Sequence, residues 1–241
     1  IGRRLIYLTS TGSTMNVARW EAENGAEQGT VIVADEQTAG RGRFGRAWVS
    51  PPGANLYLTL IVSPPVSRLR SLSIVTPLAV AEGIEQLTPL KARLKWPNDV
   101  LVSGRKISGI LIESEVAGPT VRYALIGPGI NINFDVDESS EIAAIATSIK
   151  RELGHEVSRE EVLAAFLNRF EALYEEAAGT TAVIDAWRSR LDTLGQEISV
   201  SFGGQVESGL AEDVDAEGNL ILLRSDGSRI AIEAGEVTLR V

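Results

Sequence analysis

Four short segments concentrate residue types that bind or stabilise anions. Residues 37–48 read QTAGRGRFGRAW, with three arginines and no acid. Residues 91–106 read KARLKWPNDVLVSGRK, with five basic residues and one acid. Residues 105–113 read RKISGILIE, and residues 127–133 read GPGININ. Glycines free the backbone so that its N–H groups can reach an anion. Arginines add fixed forks of donors suited to carboxylate or phosphate. A loop of this kind is expected to be mobile when empty and ordered by an anionic ligand. Lys95-Trp96-Pro97-Asn98-Asp99 sets a cation, a turn and a carboxylate within five residues. Asn98-Asp99 suits either a metal ion accompanying a nucleotide or the cap of a turn. Lys106 precedes an apolar run whose Gly109 signals close approach of another group. Gly127-Pro128-Gly129 reads as a tight structural turn or as a place where a ligand meets the backbone.

Other chemistries are excluded by inventory. The chain has no cysteine and one histidine, His155. Thiolate metal sites, disulfides and His-rich zinc sites are ruled out, and no Ser-His-Asp set can be assembled. His155 lies among charges between helical segments and reads as a surface residue. Residues 40–45 match G-x-G-x-x-G, a weak dinucleotide signal by itself. Pro51-Pro52 follows where a helix should begin, and no acid stands about 20 residues on. What remains is a set rich in arginine, lysine, asparagine and glycine and poor in proton-transfer groups. It suits chemistry driven by positioning and charge stabilisation, such as attack of a carboxylate on a nucleotide phosphate. A carboxylate nucleophile is already ionised and needs no base.

The charge balance has the same shape. The 241 residues hold 23 basic and 32 acidic side chains, net −9. The two basic islands sum to +7, leaving −16 on the other 213 residues. This points to a focused anion site rather than a broad basic face, the alternative being two solvated loops. An acidic chain is a poor general nucleic-acid binder. No apolar run approaches the roughly 20 residues of a spanning helix, and no signal peptide is visible. The default expectation is a soluble cytoplasmic protein with no membrane partner.

The elements that must carry these segments follow from periodicity. Short β-branched or apolar runs predict strands at 5–9, 30–34, 55–62, 94–96, 100–102, 109–113, 121–126 and 129–133. Ser13-Thr14 offers an N-cap for a helix to about residue 25. Helical stripes span 72–87, 161–177 and 182–194. The last two place Val162, Phe166, Phe170 and Leu173, then Val183, Trp187, Leu191 and Leu194, on core-facing sides. From residue 194 the chain reads as five short strands (198–202, 209–213, 220–223, 229–232, 237–240) separated by Gly-rich turns, which suggests a small barrel. The expected division is 1–193 and 194–241.

Taken together these segments resemble the biotin protein ligases. The matches are GSTMN around Ser13-Thr14, residues 37–48, Asn55-Leu56-Tyr57-Leu58, KWPND at 95–99, RKISGILIE and GPGININ. They stand in the family's order and cover essentially the whole chain. The resemblance implies an α+β fold: a mixed β-sheet with packed helices, like the class II aminoacyl-tRNA synthetase catalytic domain, plus a small C-terminal SH3-like β-barrel. It implies activation of biotin by ATP and Mg2+ to biotinyl-5′-AMP, then transfer to one lysine of a biotin carboxyl carrier protein. It places Ser13, Thr14 and Gln37 at the biotin head group, with Tyr57 and Gly127 in the same set. Gly40, Arg41 and Arg43 would cover biotin and its activated carboxyl. Lys106 would contact that carboxyl and the phosphate, with Gly109 and Leu111 beside it. Trp48 would pack on adenine. Arg41, Arg43, Arg46, Lys95, Asn98, Lys106 and Asn131 would serve the nucleotide, and Asp99 the magnesium. Lys106, Arg43, Lys95 and Asp99 form the implied catalytic group.

Pro128 departs from the family's small or aliphatic residue and removes one backbone donor. The helix-turn-helix of the longer, biotin-gene-repressing members has no counterpart here, so no DNA binding is expected, and there is room for a homodimer. A lipoate–protein ligase shares the acyl-adenylate logic but usually carries a different Arg-rich loop. A non-catalytic sensor would not need Lys95, Asp99 and Lys106.

Overall fold

The computed structural model describes residues 1–135, 142–177 and 181–239. β1 (Leu5–Leu8) and β2 (Val31–Ala34) pair in parallel, and β3 (Leu56–Val62) runs antiparallel to β2. Every residue of β2 and β3 is buried, as near-continuous apolar runs require of strands covered on both faces, with Thr59 the one polar residue among them. β4 (Ala92–Lys95), β5 (Asp99–Val102), β6 (Arg105–Ala117) and β7 (Thr120–Ile130) complete a seven-stranded sheet in the order β1-β2-β3-β7-β6-β5-β4.

Helices cover both faces. α1 (Thr14–Glu23) lays Met15 and Ala18 on Ile32, Ile61, Tyr123 and Leu125. α2 (Leu72–Leu87) and α4 (Arg159–Glu176) share the main core on the other face, reached also by α5 (Ala182–Ser189). The short α3 (Ile149–Leu153) links the sheet to α4. A side chain at Gly83 would meet the Phe166 backbone at 3.2 Å, so α2 and α4 cross closely because that position is bare. β8 (Glu197–Phe202), β9 (Gln205–Val214), β10 (Leu220–Leu223), β11 (Arg229–Ile232) and β12 (Glu236–Leu239) form a second, antiparallel sheet ordered β11-β10-β9-β8-β12. The α+β class is as expected. The small barrel appears as this five-stranded sheet, with no ladder between β11 and β12 among the described residues. No helix among them is long and apolar enough to cross a membrane.

Three expectations need correction. Gly127-Pro128-Gly129 is not a turn between two strands. It lies inside β7, with Gly127 opposite Leu111, Pro128 opposite Ile110 and Gly129 opposite Gly109. On the other side the β3–β7 ladder passes from Tyr57↔Gly129 to Leu60↔Ile126, so proline's missing N–H falls where no pairing runs. The strand expected at 109–113 is one part of a much longer β6. The helix expected over 182–194 stops at Ser189. Leu191 is still buried, but as a single parallel bridge to Leu94 at the edge of β4, between turn residues, with Leu94 N–H bonded to the Arg190 carbonyl at 2.9 Å. α3 was not foreseen at all. The last strand was expected to reach residue 240, which lies outside the described residues.

Candidate active site

The β5–β6 hairpin turns on two residues, Ser103 (φ 51°) and Gly104 (φ 74°), closed by the pair Val102↔Arg105. Two left-handed residues match the twist of the flanking strands. The register then slips. Leu101 faces Lys106 but Val100 faces Ser108, so Ile107 is an extra residue, fully buried in the core. Residues three apart on a regular strand face opposite sides of the sheet; a bulge inverts that parity. Lys106 and Gly109 therefore share a face. A Cβ on Gly109 would lie 2.8 Å from Lys106 Cε and 2.9 Å from its Nζ. Asp99, directly across from Gly109, brings Oδ1 to 2.6 Å from Lys106 Nζ. That oxygen is enclosed and makes an ion pair without hydrogen-bond alignment.

Gly109 pairs with Gly129 across β6 and β7, leaving a floor with no side chains. The Trp48 indole occupies it. A Cβ on Gly129 would come within 2.5 Å of the ring, and one on Gly109 within 3.1 Å. The amine of Lys106 stands 5.5 Å from the ring centroid, within cation–π range. Trp48 Nε1 is buried without a partner among the described residues.

Residues 40–48 fold as a small hairpin over this floor. Trp48 N–H bonds the Gly40 carbonyl at 2.9 Å and Gly42 N–H the Arg46 carbonyl at 2.8 Å. At its tip Phe44 has φ 56° and is exposed. Arg43 turns inward, donating to Asn98 Oδ1 (3.1 Å) and to the Gly235 carbonyl of the second sheet (3.2 Å). Burial pulls its pKa below the ordinary arginine value, opposed by Asp99 and Glu236. Arg46 pairs with Glu236, and Arg41 donates to Asn16 at 2.7 Å. The Lys95 side-chain amine has no hydrogen-bond or ion-pair partner among the described residues.

The opposite wall is neutral. Thr59 donates to Thr14 at 2.9 Å, and Thr14 donates from N–H and Oγ1 to Gln37 Oε1 at 2.9 and 3.1 Å. Gln37 Nε2 donates to Ser50 at 3.2 Å. Ser13 sits at the N-cap of α1 but makes no cap bond; its hydroxyl is buried and has no partner among the described residues. Burial pushes the Tyr57 phenol above its usual range while it donates to the Pro51 carbonyl at 2.9 Å.

Between these walls lies a cavity of about 370 Å3, the size of a small-molecule site. Every side chain singled out from the sequence lines it, with the glycines at 109 and 127, but Gly40 does not. Gly40 is pressed behind the hairpin, where a Cβ would meet the Trp48 carbonyl at 2.6 Å and Ser50 Oγ at 2.7 Å. Asn131 reaches the wall with both ends of its amide engaged, donating to the Thr147 carbonyl (3.0 Å) and accepting from Asn55 (3.3 Å). His155 is exposed and remote. Sequence reasoning missed Met15, Ile142, Ile145 and Ala146, and the turn 235–237 from the second sheet. Apart from the single carboxylate of Glu236, their only local signal is apolarity or glycine, which gives no direction.

Residues 6–131 match the Biotin/lipoate A/B protein ligase family, and residues 193–240 match the Biotin protein ligase C terminal domain. The biotin–[acetyl-CoA-carboxylase] ligase of Paracoccus denitrificans is 36% identical over 239 residues, 95% of this chain and 98% of that protein. The chain belongs to the biotin protein ligase family. A bifunctional ligase/repressor of Bacillus spizizenii is 35% identical over 94% of this chain and 71% of its own length. A biotin protein ligase from Aquifex aeolicus, solved in complex with biotin and ATP, superposes with a TM-score of 0.84 at 31% identity and 99% coverage of both chains. For a member of this family, the two cavity walls divide naturally into a neutral half and a charged half. Among the described residues the cavity carries five cations, at 41, 43, 46, 95 and 106, against two acids, Asp99 and Glu236.

Proposed function

We propose that this chain activates biotin with ATP and transfers it to a lysine of a biotin carboxyl carrier protein. The observation that carries the reading is Lys106, aimed by the Ile107 bulge at the Gly109 and Trp48 face of a cavity whose other walls hold Arg43 and Ser13. Ser13, Thr14 and Gln37 supply neutral donors and acceptors suited to a ureido ring, and Met15, Leu58 and Leu111 an apolar flank. The biotin carboxylate attacks the α-phosphorus of ATP; the α–β bridging bond breaks and pyrophosphate leaves. Lys106 and Arg43 hold the charge that gathers on the phosphate oxygens, and Lys95 is free to join them. In the second step the acceptor amine attacks the acyl carbon, the C–O bond to AMP breaks with AMP leaving as the phosphate anion, and the amine gives up its extra proton to solvent. Asp99, ion-paired to Lys106 at 2.6 Å, lines the same cavity.

Magnesium belongs to the proposal. No cluster of three His, Asp or Glu side chains occurs among the described residues. A lone carboxylate at Asp99 fits an ion that keeps phosphate and water ligands. The roles of Arg41, Arg46, Trp48, Asn98 and Asn131 toward nucleotide are part of the same reading. Trp48 suits adenine as a flat partner. Incubation with biotin, ATP, magnesium and a carrier domain, followed by intact mass, should add one biotinyl group to one lysine. An unmodified carrier, or modification driven by lipoate instead, would overturn the reading.

A further inference from the structure

Lys106 is held by more than its own strand. Its N–H donates to the Ile145 carbonyl at 2.8 Å, and Thr147 N–H donates to the Lys106 carbonyl at 2.9 Å. Residues 145–147 thus form a strap alongside the start of β6, opposite the bulge. On the other side, the hairpin turn before Lys106 places Ser103 in the left-handed region, which a non-glycine residue adopts at a steric cost.

One side chain reaches both. Glu152 on α3 accepts from Thr147 Oγ1 in the strap, from Ser103 Oγ in the turn (2.8 Å) and from Arg105 Nη2 (2.8 Å), the residue before Lys106. Its carboxylate is 9% exposed. Burial alone would push its pKa up; the three donors outweigh that and hold it below the ordinary glutamate value. It touches neither the cavity wall nor any residue assigned to substrate.

We propose that Glu152 is a positioning residue for Lys106, clamping the turn and the strap on either side so that the bulge aims the amine into the cavity. This rests on the reading of Lys106 given above. Removing the clamp loosens the direction of the amine while the sheet core, made of other residues, stays folded.

The test compares Glu152→Ala and Glu152→Gln with the unaltered chain. Lysine acetylation by an activated ester is read peptide by peptide, with Lys91, outside the cavity, as internal reference. Glu152→Ala should change the rate at Lys106 severalfold and leave the reference unmoved, with Glu152→Gln between. In the same samples kcat for biotin-dependent pyrophosphate release should fall about tenfold or more with KM for biotin nearly unchanged, since a small misplacement is felt mainly in the reacting geometry. Unchanged Lys106 labelling in a folded Glu152→Ala protein overturns the proposal, as does unchanged kcat. Should that variant not fold, Ser103→Ala and Thr147→Val each remove one arm and must shift Lys106 labelling in the same direction. If the unaltered chain releases no biotin-dependent pyrophosphate, it is the function that has failed, and labelling alone decides the clamp.

Discussion

Lys106 is carried by a sheet strand bonded on both sides, whereas Arg43 sits at the tip of a hairpin spanning 40–48 and closed by a few backbone bonds. Both cations face one cavity. The first is positioned by register, which changes only if the sheet changes. The second is positioned by contacts with Asn98 and Gly235, groups that belong to two other parts of the chain. A rigid cation suits charge that develops at a defined point. A cation on a small hairpin suits a ligand that has to enter and then be covered.

That contrast can be broken experimentally. Lys106→Ala should lower kcat for adenylate formation by about 10²–10³-fold, the scale of losing one preorganised donor. Its thermal unfolding midpoint should stay close to that of the unaltered chain; wild-type turnover would remove Lys106 from the site. Next in size is Gly129→Ala. The new methyl would stand 2.5 Å from the Trp48 ring, and relieving such an overlap costs about 1–3 kcal/mol. Steady-state kinetics should show this mainly as a higher KM for ATP, with a shift in tryptophan fluorescence.

Arg43→Ala should be smaller and of another kind, raising KM for biotin and ATP more than it lowers kcat. Limited proteolysis near 40–46 should be slowed by biotin with ATP in the unaltered chain and less so in this variant. An equal kcat loss for Arg43→Ala and Lys106→Ala would erase the distinction between hairpin and strand. The smallest effect is expected at Glu236→Gln, which removes the pairing with Arg46. Both groups are well exposed, so the stability change should stay below about 1 kcal/mol by chemical denaturation.

Much of the site was legible in the sequence because its chemistry is written in residue types. Arginine, lysine and glycine strings at 37–48, 95–99 and 105–113 are informative wherever they fold. The helices at α2 and α4 were legible because their stripes are long. Gly127-Pro128-Gly129 was misread because glycine and proline signal turns locally, while here they serve a bare floor and an unpaired stretch of ladder. Leu191 was read as helical because its burial is real; burial comes instead from pairing with Leu94, 97 positions away. The second sheet's contribution at 235–237 had no local trace, since nothing in those residues names the hairpin they meet.

By itself the sequence determined the kind of chemistry. One histidine and no cysteine leave little for proton relay or thiol catalysis, and net −9 with two basic islands marks an anion site. Tertiary structure decided which groups meet. A single extra residue, Ile107, turns Lys106 toward Gly109 and Trp48; without it the amine would face the other side of the sheet. Register is the outcome of pairing among distant strands and of core packing on both faces, a sum over non-local contacts that no short stretch of sequence contains.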